Sequence, residues 1–156
     1  MTVRKHPEVL IGYAVVITVP IQWGDQDAFG HVNNTVPIRW FESARIAYMV
    51  QIGLGHLTDA SGLGPILAAI QCDYRRQLHY PDTVHVGARV ARIGRTSLIM
   101  EHAVYSERLG EIAAEGSSTL VMFDYTVNKP RRMPDELRAT VERIEGKPLG
   151  HTKPAE

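Results

Sequence analysis

Trp23-Gly24-Asp25-Gln26-Asp27-Ala28-Phe29-Gly30-His31-Val32-Asn33-Asn34 decides how this chain is read. Two carboxylates, a histidine and two amides crowd around two glycines, between an extended apolar segment and a helical one. Irregular backbone held by regular elements is where chemistry concentrates. Upstream, Tyr13-Ala14-Val15-Val16-Ile17-Thr18-Val19-Pro20-Ile21 is rich in β-branched residues and predicts a strand, with Pro20 marking an edge or irregular position. Downstream, Phe41, Ala44, Tyr48 and Ile52 recur at helical spacing, widened by Trp40 and Ala47, and predict a mostly buried helix over 37–52. Pro37 is tolerated in the first turn, where its missing N–H has no intrahelical partner. Asn33, Asn34 or Thr35 is placed to cap the helix, and Gly53 and Gly55 end it.

Beyond a turn-like stretch over 54–65, the periodicity changes. Strands are expected over 66–76, 83–93, 96–107 and 111–125. Val84, Val86, Ala88 and Val90 alternate with Thr83, His85, Gly87 and Arg89, and Gly94-Arg95 and Leu109-Gly110 mark tight reversals. The last three strands therefore read as an antiparallel meander. Leu137, Val141 and Ile144 allow a short amphipathic helix over 135–145, and residues 146–156 read as a flexible tail. The sum is one α+β domain over 1–145, with five strands and one central helix. A single helix covers little of such a sheet, so a symmetric homodimer is expected.

Composition narrows the class of function. Lys plus Arg equals Asp plus Glu at 17 each, which argues against nucleic acid or an acidic membrane as partner. The only cysteine, Cys72, excludes an internal disulfide, a CxxC redox pair and a thiolate metal cluster, and its apolar setting reads as a buried thiol. His6, His31, His56, His79, His85, His102 and His151 are scattered without metal-ligand spacing, so no metal is expected. There is neither a signal-peptide pattern nor a run of about 18 apolar residues, and a cytoplasmic location is expected.

Asp25 to Asn34, followed by Arg39-Trp40-Phe41-Glu42 on the helix, resembles the acyl-CoA thioesterases of the hotdog fold, in particular the 4-hydroxybenzoyl-CoA thioesterase-like branch. A second block, Tyr74-Arg75-Arg76-Gln77-Leu78-His79-Tyr80-Pro81-Asp82-Thr83-Val84, is also similar to that family, as is the turn Gly94-Arg95-Thr96-Ser97-Leu98. The resemblance covers roughly residues 13–140. It implies a curved five-stranded antiparallel sheet wrapped around a long helix, with active sites across a dimer interface and some members assembled as dimers of dimers. It also implies hydrolysis of an acyl-CoA to a carboxylate and free coenzyme A, with no cofactor.

The resemblance assigns roles residue by residue. Asp27 matches the catalytic aspartate, acting as general base on water or as nucleophile; read from its residues alone it equally caps a turn. Asn34 matches the position whose backbone N–H faces the thioester carbonyl, at a helix N-terminus suited to an oxyanion. His31 either polarises the carbonyl or ties the loop to the sheet. Gly30 gives the thioester access or simply permits the turn, and Asn33 organises loop or cap. Asp25 reads as a structural carboxylate, Glu42 as part of a salt bridge, and Asp82 as a turn cap. Arg75, Arg76, Arg92, Arg95, Lys129, Arg131 and Arg132 are candidates for the coenzyme A phosphates, which guanidinium forks suit. Pro37 stands where the family commonly carries tyrosine, which bears on the acyl pocket. Trp40, Tyr48, Met49, Leu57, Leu63, Ile66 and Leu67 line either core or pocket. An acyl-carrier-protein thioesterase, a dehydratase of the same architecture and a nonenzymatic acyl-CoA-binding protein are the competing readings.

Overall fold

The computed structural model describes residues 6–55 and 61–150. Leu57, His56 and His151 lie outside them, as does the tail beyond Gly150. The elements are β1 (Val15–Pro20), α1 (Thr35–Gln51), β2 (Leu63–Tyr74), β3 (Thr83–Ile93), β4 (Ser97–Ser106), β5 (Glu111–Asp124), β6 (Lys129–Pro130) and α2 (Asp135–Glu145). The sheet is antiparallel in the order β1-β3-β4-β5-β2, and β6 adds two residues beside the end of β5. This is the hotdog arrangement, a curved sheet around one long helix. The expected meander is β3-β4-β5. β2 starts three residues earlier than the periodicity suggests, because Gly64 and Pro65 hide the alternation.

The helix seats where the sheet has no side chain. A Cβ on Gly116, in the middle of β5, would stand 2.6 Å from the Phe41 ring and 2.1 Å from the Gln71 carbonyl oxygen. Phe41 thus lies directly on the backbone of β5 and stacks on His102 of β4, with ring centroids 4.8 Å apart. Phe41, Ala44 and Tyr48 are fully buried, on the face of the helix that the spacing predicts, against Val84, Val86, Ala88 and Val90 of β3. Trp40, Tyr48 and Met49 are therefore core, whereas Ile66 and Leu67 on the edge strand β2 are exposed.

The C-terminal segment is tied in by charge and by packing. Glu145 Oε1 accepts from Tyr48 Oη and from the Val90 N–H, each at 2.7 Å, where the β3–β4 register shifts. Residues 146–150, read as the start of a flexible tail, fold back: Leu149 is buried and its N–H donates to Glu142 Oε1 at 2.9 Å.

Candidate active site

The loop between β1 and α1 is held by its own polar groups. Asp25 closes the turn that starts it: Oδ2 accepts the Gln22 N–H at 2.7 Å, and its carbonyl accepts the Asn33 N–H at 2.9 Å. Asp27 next accepts on both oxygens, from the Phe29 N–H on Oδ1 and from Asn33 Nδ2 on Oδ2, each at 2.9 Å. Its N–H donates to the His31 carbonyl and its own carbonyl accepts the Gly30 N–H. That reversal requires φ of +82° at Gly30, a conformation a Cβ resists.

Those bonds hold the Asp27 carboxyl below the usual carboxylate range. The Phe29 N–H contributes most and the Asn33 amide next, because both stabilise the ionised form. Asn33 also faces the helix. Its Oδ1 accepts from the Thr35 N–H at 2.9 Å and the Thr35 hydroxyl at 2.7 Å, and its carbonyl accepts the Val36 N–H at 3.0 Å. One side chain thereby links the carboxylate to the first turn of α1.

The N–H groups at that helix end can be followed one by one. Thr35 donates to Asn33 Oδ1, Val36 donates to the Asn33 carbonyl, and Pro37 has none to give. The Asn34 N–H has no acceptor among the described residues. Asn34 lies at φ −59° and ψ −22°, already helical, so this free donor stands at the positive end of the helix.

A second segment clamps the loop from outside. The Val32 N–H donates to the Leu78 carbonyl at 2.8 Å, His79 Nδ1 donates to the Gly30 carbonyl at 2.9 Å, and the Tyr80 N–H donates to Gln26 Oε1 at 3.1 Å. His31 Nδ1 donates to the Val32 carbonyl at 3.1 Å. A carbonyl only accepts, so Nδ1 carries a proton. Between loop and clamp lies a cavity of about 240 Å³, lined by His31, Val32, Asn34, Pro37, Tyr74, Arg75, Arg76, Gln77, Leu78, Ala113 and Ala114.

The sequence-read residues divide by position. His31, Asn34, Arg75 and Arg76 line this cavity, and Asp27, Gly30 and Asn33 form the loop beside it. Arg75 and Arg76 carry ion pairs to Glu115 at 3.3 Å and Glu111 at 2.7 Å, all four side chains well exposed. Arg92 and Arg95 flank the β3–β4 turn, Arg131 pairs with the buried Asp124 at 2.6 Å, and Arg132 pairs with Asp135 at 3.3 Å. These four lie toward the far end of β5, from the level of Thr119 to Asp124, roughly 20 to 36 Å along that strand from Ala113 at the cavity. Glu42 sits 3.9 Å from Arg45 on its own helix. Asp82 accepts from the Thr83 N–H, the Arg108 N–H and the Ser106 hydroxyl. Cys72 is half-buried, and that burial pushes its thiol pKa up. Tyr74, Gln77 and Leu78 belong to the second block and enter the cavity without having been singled out. Their spacing shows only a strand end, and the contact with the helix is tertiary. Among the described residues no three His, Cys, Asp or Glu side chains converge as metal ligands, and no helix is long and apolar enough to cross a membrane.

The sequence pattern of the thioesterase-like superfamily matches residues 21–141, from the loop to the last helix. The chain belongs to this superfamily. A thioesterase from Thermus thermophilus, solved with coenzyme A and zinc, is 35% identical and superposes with a TM-score of 0.79 over 89% of this chain and 99% of that one. The long-chain acyl-CoA thioesterase FadM of Escherichia coli (strain K12) is 23% identical over 76% of this chain and 89% of its own length. YsmA of Bacillus subtilis (strain 168) is 26% identical over 79% of this chain and 82% of its own. The protein is a hydrolase of the thioesterase class.

Proposed function

We propose that this thioesterase hydrolyses acyl-CoA thioesters at the β1–α1 loop. One observation carries the reading. An uncommitted N–H at the start of a helix, that of Asn34, stands beside a carboxylate, Asp27, that is held ionised and hydrogen-bonded to the same capping residue. Thioester cleavage needs those two parts: a base or nucleophile, and a donor for the oxygen that gains charge.

In the base route Asp27 takes a proton from water while the water oxygen bonds to the carbonyl carbon. The Asn34 N–H holds the resulting oxyanion. The C–S bond then breaks, the coenzyme A thiolate leaves with the bonding electrons, and the proton from Asp27 returns to it or to solvent. In the nucleophile route an Asp27 oxygen bonds to the carbonyl carbon, the C–S bond breaks with the coenzyme A thiolate leaving on the bonding electrons, and water then cleaves the acyl anhydride to the free acid and the Asp27 carboxylate. One turnover in ¹⁸O-water that places label in Asp27 identifies the nucleophile route, with water attacking the anhydride at the Asp27 carbon.

Arg75 and Arg76 are the arginines placed to meet the coenzyme A phosphates beside this cavity. Their present ion pairs are exposed, so exchanging a carboxylate for a phosphate costs little. A further cavity of about 600 Å³ between α1 and β2 is lined by Ile46, Met49, Pro65, Leu67, Leu120 and Tyr125, which suit an apolar acyl group, and by the charged Glu42 and Arg45. A homodimer fits the β2 edge: among the described residues β2 pairs with β5 alone, and Ile66 and Leu67 on it are exposed.

The test is thiol release from short, medium, long and aromatic acyl-CoAs, with Asp27→Asn alongside. Turnover of at least one ester and its loss by about 10²-fold in the variant are expected. Binding of acyl-CoA without any turnover overturns the reading in favour of a binding protein.

A further inference from the structure

The free donor of the site has a support that comes from the far side of the cavity. Tyr74, the last residue of β2, donates its hydroxyl hydrogen to the Asn34 carbonyl oxygen. That oxygen is also where the helix ladder of α1 begins. The ring lines the cavity with Asn34 and His31 and is half exposed, so it is not a core side chain.

The consequence follows from where the peptide planes lie. The plane that contains the Asn34 N–H is fixed on its carbonyl side by the Val36 N–H bound to Asn33. The next plane, on the other side of the Asn34 α-carbon, is fixed by Tyr74. Between these two ties the residue has little freedom to rotate its N–H. The tie matters here because the side chain of Asn34 makes no capping bond of its own, and because Pro37 removes one of the donors that would otherwise share an oxyanion. An oxyanion donor acts through fixed aim, since reorientation during the reaction forfeits part of its electrostatic effect.

We infer that Tyr74 is a positioning residue for thioester hydrolysis, holding the Asn34 peptide so that its N–H meets the developing oxyanion. The inference rests on the function proposed above and adds to it a residue on a different strand. Tyr74 touches neither water nor the scissile bond in this role; it acts through Asn34.

Tyr74→Phe removes only the hydroxyl. The variant is expected to keep the melting temperature of the wild type, to lose about 10-fold in kcat and to keep KM within about twofold, a fraction of what loss of a whole oxyanion donor costs. Asn34→Pro deletes the N–H itself, and in that background Tyr74→Phe is expected to change kcat by less than about twofold, because coupled residues are not additive. Backbone ¹⁵N relaxation gives a readout independent of turnover: the Asn34 order parameter should fall in Tyr74→Phe while those of Ala44 and Val86 stay. Equal kcat losses in both backgrounds, no loss in the wild-type background, or an unchanged Asn34 order parameter each overturn the inference. A wild-type protein inactive on every thioester instead overturns the function it rests on.

Discussion

Replacing Asn34 with proline removes the N–H proposed as the oxyanion donor, together with the side chain. Asn34 lies at φ −59°, inside the range that the proline ring imposes. Its N–H meets no acceptor among the described residues, so no internal hydrogen bond is lost. Proline is also well accepted where a helix begins. Stability should therefore change by less than about 1 kcal/mol, with any loss arising at Asn33, which a following proline pushes toward extended backbone. The catalytic effect should be far larger. Removing one preorganised oxyanion donor costs on the order of 3 kcal/mol in the transition state, a 10²- to 10³-fold fall in kcat. The assay is thiol release under saturating acyl-CoA, with thermal melts and circular dichroism on the same preparations. Asn34→Ala is the comparison, since it deletes the side chain and keeps the N–H. Asn34→Pro should be slower than Asn34→Ala by at least about 30-fold. Folded Asn34→Pro that matches Asn34→Ala refutes the oxyanion assignment, whatever the overall activity.

Because Asp27 is held below the ordinary carboxylate range, kcat/KM should be flat across neutral pH, with its acid limb below the ordinary carboxylate value of about 3.9; an acid limb above that value would exclude Asp27 as the base. His102 is buried and its pKa is pushed down to about 4, by burial first and the Arg45 charge second. The unfolded chain takes up that proton near pH 6.5 and the folded chain does not, so stability is fully present above about pH 6.5 and lost as pH falls toward 4. Urea titrations should show a loss of roughly 2.5 kcal/mol between pH 7.5 and 4.5 from this group, and His102→Gln should remove that part of the slope. Gly116→Ala places a methyl group 2.1 Å from the Gln71 carbonyl and 2.6 Å from Phe41, and should cost more than about 2 kcal/mol by denaturant titration; a near-neutral result would mean that Phe41 does not lie on the strand as described.

What could be read from the residues depended on whether the cause was local. The helix of 35–51 and the strands of the meander announce themselves because burial repeats at their own period, as in Phe41, Ala44 and Tyr48 or in Val84, Val86, Ala88 and Val90. The loop of 23–34 was legible because Gly30 and the clustered polar side chains satisfy one another within ten residues. β6 was not, since two residues beside β5 have no period. The arginines sorted poorly for a related reason. Arg75 and Arg92 look alike in sequence, and only the antiparallel course of β5 sends one to the cavity and the other to the opposite end of the sheet.

Asn34 shows the limit most sharply. Nothing about an asparagine says that its N–H is free. That follows from what its neighbours have used: Asn33 has taken the N–H groups of Thr35 and Val36, and Pro37 offers none. The same Asn33 binds Asp27 Oδ2 with its amide nitrogen. The capping of the helix and the orientation of the carboxylate are therefore carried by one side chain. Asn33→Asp keeps an oxygen for the Thr35 N–H and puts a second negative charge where Asp27 now finds a donor. The helix should persist, while the acid limb of kcat/KM moves to higher pH, because a neighbouring carboxylate disfavours the ionised form of Asp27. An acid limb that stays in place with the helix intact would mean that Asp27 and the cap are separable, and that the carboxylate is positioned by the Phe29 N–H alone.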